Sequence, residues 1–201
     1  MKLRLEYNSP VILTYALISS VVLILHDSGL FGDRLMMTFS VYEFSPSNLV
    51  NYFQLVSHSA GHLGWNHLIG NFSFILILGP ILEEKYGSGK LLLMIVLTAL
   101  ITGLLNVLFF DTRLLGASGI VFMLIILSGF SNFKAGRIPI TLILIVLLYI
   151  GREVAQIFAD DQVSQFGHIL GGICGGVFGY ILKPQPDHDE EKKTEFKDLV
   201  P

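Results

Sequence analysis

The sequence predicts an all-α membrane protein: a bundle of six transmembrane helices with both termini in the cytoplasm. Three observations predict it. First, only 14% of the residues are charged and 52% are hydrophobic. Soluble domains carry roughly a quarter charged residues. Second, six apolar stretches recur along 201 residues, and about 20 such residues cross a hydrocarbon core. Third, lysine and arginine alternate in density from one inter-helix segment to the next, as the positive-inside rule requires.

The first span is residues 10–26. Lys2 and Arg4 precede it as in a signal peptide, but no small-x-small cleavage site follows. A retained first helix is expected. The others are expected at 66–82, 90–110, 117–130, 138–158 and 167–182. Residues 1–9 form a cytoplasmic N-terminus, 10–183 the membrane domain and 184–201 a charged tail expected to be disordered. With the N-terminus inside, Lys2, Arg4, Lys85, Lys90, Lys134, Arg137, Lys183, Lys192, Lys193 and Lys197 are cytoplasmic. Only Arg34, Arg113 and Arg152 are outside. Removing or adding a span scrambles that split. The single cysteine, Cys174, permits no internal disulfide and is expected to be a small packing residue.

This topology puts Ser118 and His168 at the outer ends of the fourth and sixth spans. The fourth span has only about 14 residues, roughly 21 Å of helix against a core of roughly 30 Å. Ser118 therefore sits below the outer surface, and residues 111–116 dip to meet it. Such backbone is tolerated only inside protein or beside water, so a wet, outward-open pocket is expected. A serine beside a histidine there points to a nucleophile and a general base. Gly171, Gly175 and Gly179 form a small-residue ridge that admits a close neighbour. The fourth span, with Gly119 and Ser128, is the expected neighbour. For the glycines alone, generic membrane-helix packing with no catalysis is the better-supported reading.

His67 and Asn71 lie four apart and so on one face of the second span. With the backbone N–H of Ser118 they could stabilise an oxyanion; interhelical hydrogen bonding is the alternative. His58 and His62 lie just upstream and are expected to bond loop backbone. No carboxylate or cysteine lies close enough in sequence to complete a metal site, so neither metal nor cofactor is expected. Three other motifs carry nothing. Gly87-Ser88-Gly89-Lys90 lacks the flanking residues of a P-loop. Asn71-Phe72-Ser73 is a sequon buried in a span. Gly116-Ala117-Ser118-Gly119 is not a nucleophile elbow.

Taken together, these residues resemble the rhomboid family of intramembrane serine proteases. The pattern is His58-Ser59-Ala60-Gly61-His62-Leu63-Gly64-Trp65-Asn66-His67-Leu68-Ile69-Gly70-Asn71, then Glu83 with Tyr86-Gly87, then Gly116-Ala117-Ser118-Gly119, then Gly167-His168 with Gly171-Gly172. The resemblance covers about residues 53–182 and implies a compact six-helix bacterial form in the cell membrane. It implies Ser118 as nucleophile, His168 as base, and His67, Asn71 and the Ser118 backbone as oxyanion donors. It makes His62 a structural loop residue, sets Phe122 against the catalytic histidine and gives supporting places to Gly116, Gly119, Gly171 and Gly172. The implied partners are transmembrane-protein substrates and the lipid bilayer, with no nucleic acid. Phe53-Gln54 stands where many members carry Trp-Arg, which puts the rigidity of the first loop in question. Alternative readings are rhombosortase-like processing of C-terminal anchors and a non-catalytic rhomboid-like protein that binds membrane helices.

Overall fold

A computed structural model describes residues 6–130, 140–141, 143–144, 147–148 and 162–184. Among them the structure is helical, with no strand beyond one isolated antiparallel bridge, Val41 to Leu114. The helices are α1 (Pro10–Asp27), α2 (Asp33–Thr38), α3 (Leu49–Ser57), α4 (Trp65–Tyr86), α5 (Ser88–Phe109), α6 (Ser118–Phe130) and α7 (Gln162–Ile181). A 3₁₀ turn, His58–Ala60, follows α3. Three of them, α1, α4 and α5, are long and apolar enough to cross a membrane, with mean hydropathies of 1.7, 1.4 and 2.6. The chain is an integral membrane protein. Most of the predicted span 138–158 and the tail 185–201 lie outside the described residues, as do residues 1–5.

Each boundary has a local cause. Pro10 opens α1, where its missing N–H costs nothing. Asn48 caps α3 by accepting from the Val50 N–H at 3.1 Å. Gly87 ends α4 with φ +81°, open to glycine but costly for other residues, and α5 starts at the next residue. Pro80 is kept inside α4, a lesion that membrane helices tolerate.

Helix α6 is the centre of the bundle. Ile120 to Leu124 are all buried, and a helix apolar on every side belongs in an interior. Its neighbours are α4, α5 and α7, and α7 packs on it most extensively. The core around it includes Ile75, Leu82, Leu91, Met94, Met123 and Leu127. By contrast Ile69, Ile77, Leu93 and Leu108 are exposed on outer helix faces. In water such faces are a liability; in a bilayer they meet hydrocarbon.

The segment between α1 and α4 contains α2, α3 and the 3₁₀ turn, and two expected boundaries need correction. These elements are too short to give a spanning signal. Helix α4 extends to Tyr86 rather than 82, because helix continues through the polar Glu83-Glu84-Lys85. Helix α7 starts at Gln162 rather than 167, so His168 lies two turns inside the helix and not at its head.

Candidate active site

The serine sits at the first position of α6, after a loop held by backbone bonds. Leu114 and Val41 exchange N–H···O bonds of 2.9 and 2.8 Å, and the Gly116 N–H donates to the His58 carbonyl at 2.9 Å. Gly116 has φ +121°. A Cβ there would lie 2.8 Å from His67 Nε2 and 3.8 Å from Asn71 Nδ2. Only glycine satisfies both constraints. The same numbers locate His67 and Asn71: their side chains reach across from α4 to the loop two residues before Ser118.

His62 organises this corner. Its Nδ1–H donates to the Ala60 carbonyl at 3.2 Å. Its Nε2 accepts from Asn71 Nδ2 at 3.2 Å and from the Ala117 N–H at 3.4 Å. One neutral tautomer satisfies all three bonds. His62 thereby orients both an oxyanion candidate and the peptide next to the serine. Its ring also stands edge-on to His67, with centroids 5.0 Å apart.

His58 departs from the expected loop bonding. Its Nε2–H donates 3.0 Å to the Ala99 carbonyl on α5, so it anchors the 3₁₀ turn to a spanning helix. Spacing could not reveal this, because the partner is a backbone atom 41 residues away.

Both histidines lie between α3 and α4, outside the spanning helices. Burial pulls His58 down to about 4, opposed by the Ala99 bond. Burial, then the neighbouring His67, pull His62 down to about 4. Both are therefore neutral in the folded protein near pH 7. Above the unfolded value near 6.5 neither state binds the proton, and stability is flat. As pH falls from 6.5 toward 4, the unfolded chain takes up protons that the native state refuses. Stability should drop by roughly 1.4 kcal/mol per histidine per pH unit, and the slope should vanish below about 4. Unfolding midpoints measured from pH 8 to 4 test this; an unchanged midpoint between 6.5 and 4 contradicts it.

On the opposite side, Phe122 is one turn below Ser118 on α6. Its ring lies 4.4 Å, centroid to centroid, from the His168 ring on α7, tilted by 40°. The two helices approach through glycines. A Cβ on Gly119 would lie 3.2 Å from the Gly167 carbonyl oxygen, and one on Gly171 would lie 2.7 Å from the Gly119 carbonyl carbon. Gly172 is buried on the same helix. The ridge continues with Gly175 against the Met123 carbonyl and Gly179 against the Phe130 ring. His168 is only 6% exposed.

The cavity at Ser118 is about 10 Å³, lined in part by His58, Thr102, Leu114, Gly116 and Gly167. That holds about one water, which is far narrower than the expected open pocket. Sequence reading also missed Thr102 in this lining, since a threonine can satisfy its hydroxyl on its own helix, as Thr102 does on the Thr98 and Ala99 carbonyls.

The Phe53-Gln54 pair has its own bracing. Gln54 Nε2 donates to the Met37 carbonyl at 2.7 Å and Oε1 accepts from Asn51 Nδ2 at 2.6 Å. Phe53 meets Phe39 edge-on, centroids 5.8 Å apart. These contacts tie α3 to the end of α2.

Comparison with known proteins agrees with this architecture. The Rhomboid domain pattern matches residues 50–185. The chain is 27% identical over 156 residues to the rhomboid protease GlpG of Haemophilus influenzae, covering 75% of this chain and 80% of that protein. It is also 27% identical over 175 residues to the rhomboid protease GlpG of Salmonella newport and of Salmonella typhimurium. There the match covers 84% of this chain and 62% of each relative, so this chain spans about three fifths of their length. The matched segment holds α4 to α7, with Ser118, His168, His67, Asn71, His58 and His62: the chain belongs to the rhomboid family.

Proposed function

We propose that this protein is an intramembrane serine endopeptidase that cuts transmembrane segments of other membrane proteins. The observation that carries the reading is the convergence on one loop. His67 and Asn71 reach Gly116 from α4, while Phe122, one turn from Ser118, packs against the tilted His168 ring of α7. Family membership supports an intramembrane protease of this kind.

Ser118 Oγ attacks the scissile carbonyl carbon as His168 takes its proton. The oxyanion is held by the Ser118 N–H with His67 and Asn71. The C–N bond breaks, His168 gives its proton to the leaving amine, and water hydrolyses the acyl-enzyme. Packing against Phe122 sets the histidine ring. The lysine and arginine split supports six spans with both termini in the cytoplasm, and in this reading the reaction lies on the outer side of a bacterial cell membrane. A helix hides its carbonyls, so substrates carry helix-weakening Gly, Pro or small residues near the cut.

The test is cleavage of a transmembrane substrate by the purified protein. Ser118→Ala and His168→Ala should each abolish cleavage while the fold persists. Asn71→Ala should lower kcat by about 10²–10³-fold, the loss of one oxyanion donor. Cleavage that survives Ser118→Ala overturns the assignment.

A further inference from the structure

A second, larger cavity lies away from the serine, between α1, α5 and the roof formed by α3. Its volume is about 560 Å³. One wall runs from Pro10 to Ile18 and the other from Ser88 to Val96; Phe53 and Val56 close the top. Ile18, Phe53 and Leu92 are each about half exposed, so the cavity opens sideways between two spanning helices.

Its lower end is well defined. The Glu83 carboxylate accepts from the Val11 and Ile12 N–H groups and from the Ser88 hydroxyl, at 3.0, 3.1 and 2.7 Å. The first turns of α1 and α5 are thereby fixed side by side at one membrane face. From there each wall rises eight residues, about 12 Å at 1.5 Å per residue. One leaflet is half of a roughly 30 Å core, so the groove has the depth of a single leaflet. The lining is mostly apolar and the groove opens toward the hydrocarbon, which suits an extended hydrocarbon chain.

We infer that this groove is a binding site for one acyl chain of a membrane phospholipid, from the leaflet at which α1 and α5 begin. The chain tip ends under α3 and the 3₁₀ turn. That roof carries consequences for the serine loop. Tyr15, in the α1 wall, donates 2.8 Å to the Ser59 carbonyl in the turn, and the adjacent His58 carbonyl accepts from Gly116. An occupied groove props the turn that holds the loop before Ser118. The inference stands whether or not the proposed reaction is correct.

The test uses the full chain in phosphatidylcholine vesicles doped with either of two photoactivatable phosphatidylcholines. One carries a diazirine at the end of an acyl chain, the other near its carboxyl group. Peptide mapping should find the terminal probe on residues 53–60 and the near-carboxyl probe on 10–14 and 88–92. Val96→Trp fills the groove from α5, and Thr14→Trp fills it from α1, at a side chain that is exposed. Each variant, with circular dichroism matching the wild type, should lose the terminal-probe labelling of 53–60. Equal labelling of outward faces such as residues 104–109 by both probes overturns the site. So does groove labelling untouched by both tryptophans, or no groove labelling at all.

Discussion

Gly171→Ala should cripple the protein, although it adds one methyl group. A Cβ at Gly171 lands on the backbone of Gly119, 2.7 Å from its carbonyl carbon and 2.9 Å from its Cα. Backbone has no rotamer to yield, so α6 and α7 must separate. Overpacking of this kind costs about 1–3 kcal/mol. The functional loss should be larger, because Ser118 and His168 ride on the two separated helices. A misplacement of about 1 Å can cost 10²-fold in rate. The check pairs an unfolding midpoint with a cleavage rate, against Gly176→Ala. A Cβ at Gly176 meets nothing within 4 Å, and helix propensity favours alanine there by about 1 kcal/mol. Gly176→Ala should therefore leave both readouts intact. Equal behaviour of the two variants would contradict close helix approach as the basis of the site.

Glu83→Ala should produce the largest loss of stability among polar substitutions. The carboxylate is 4% exposed and accepts three hydrogen bonds. Two come from the free N–H groups of the first turn of α1, where a negative charge also meets the positive end of the helix dipole. The third comes from the first residue of α5. Hydrogen bonds to a charged group contribute about 1.5–3 kcal/mol each. Their joint loss should cost at least ~3 kcal/mol and strip the buried Ile12 N–H of its partner. Glu83→Gln keeps one acceptor oxygen and should fall between. Unfolding of the three proteins in mixed micelles gives the order; an unchanged Glu83→Ala midpoint would contradict it.

The legible part of the sequence was the part written in long periods and fixed spacings. α1, α4 and α5 announce themselves by hydropathy. Ser118, His168, His67 and Asn71 stand out because polar groups in apolar helices are costly and so carry information. The close pairing of α6 with α7 was readable from the Gly171-Gly175-Gly179 spacing. What stayed hidden depends on partners distant in sequence. His58 bonds a carbonyl on α5, His62 joins Ala60 to Asn71 and Ala117, and Val41 clamps Leu114. None of these partners leaves a local mark. The early start of α7 was missed for a related reason. Its first turn is Gln162-Val163-Ser164-Gln165, which is polar, and hydropathy marks where a helix enters the bilayer rather than where it begins. The Phe53-Gln54 substitution shows the reverse limit. The resemblance put the rigidity of the first loop in question there, while the fold braces it through Gln54 and the Met37 carbonyl.

The reading of Ser118 as a nucleophile primed by His168 is most directly tested by covalent labelling. The purified protein would be treated with a fluorophosphonate and the adduct located by peptide mass spectrometry. A single adduct on Ser118, lost in His168→Ala and retained in Gly176→Ala, is the predicted result. An adduct on another serine, or Ser118 labelling undiminished by His168→Ala, would contradict it.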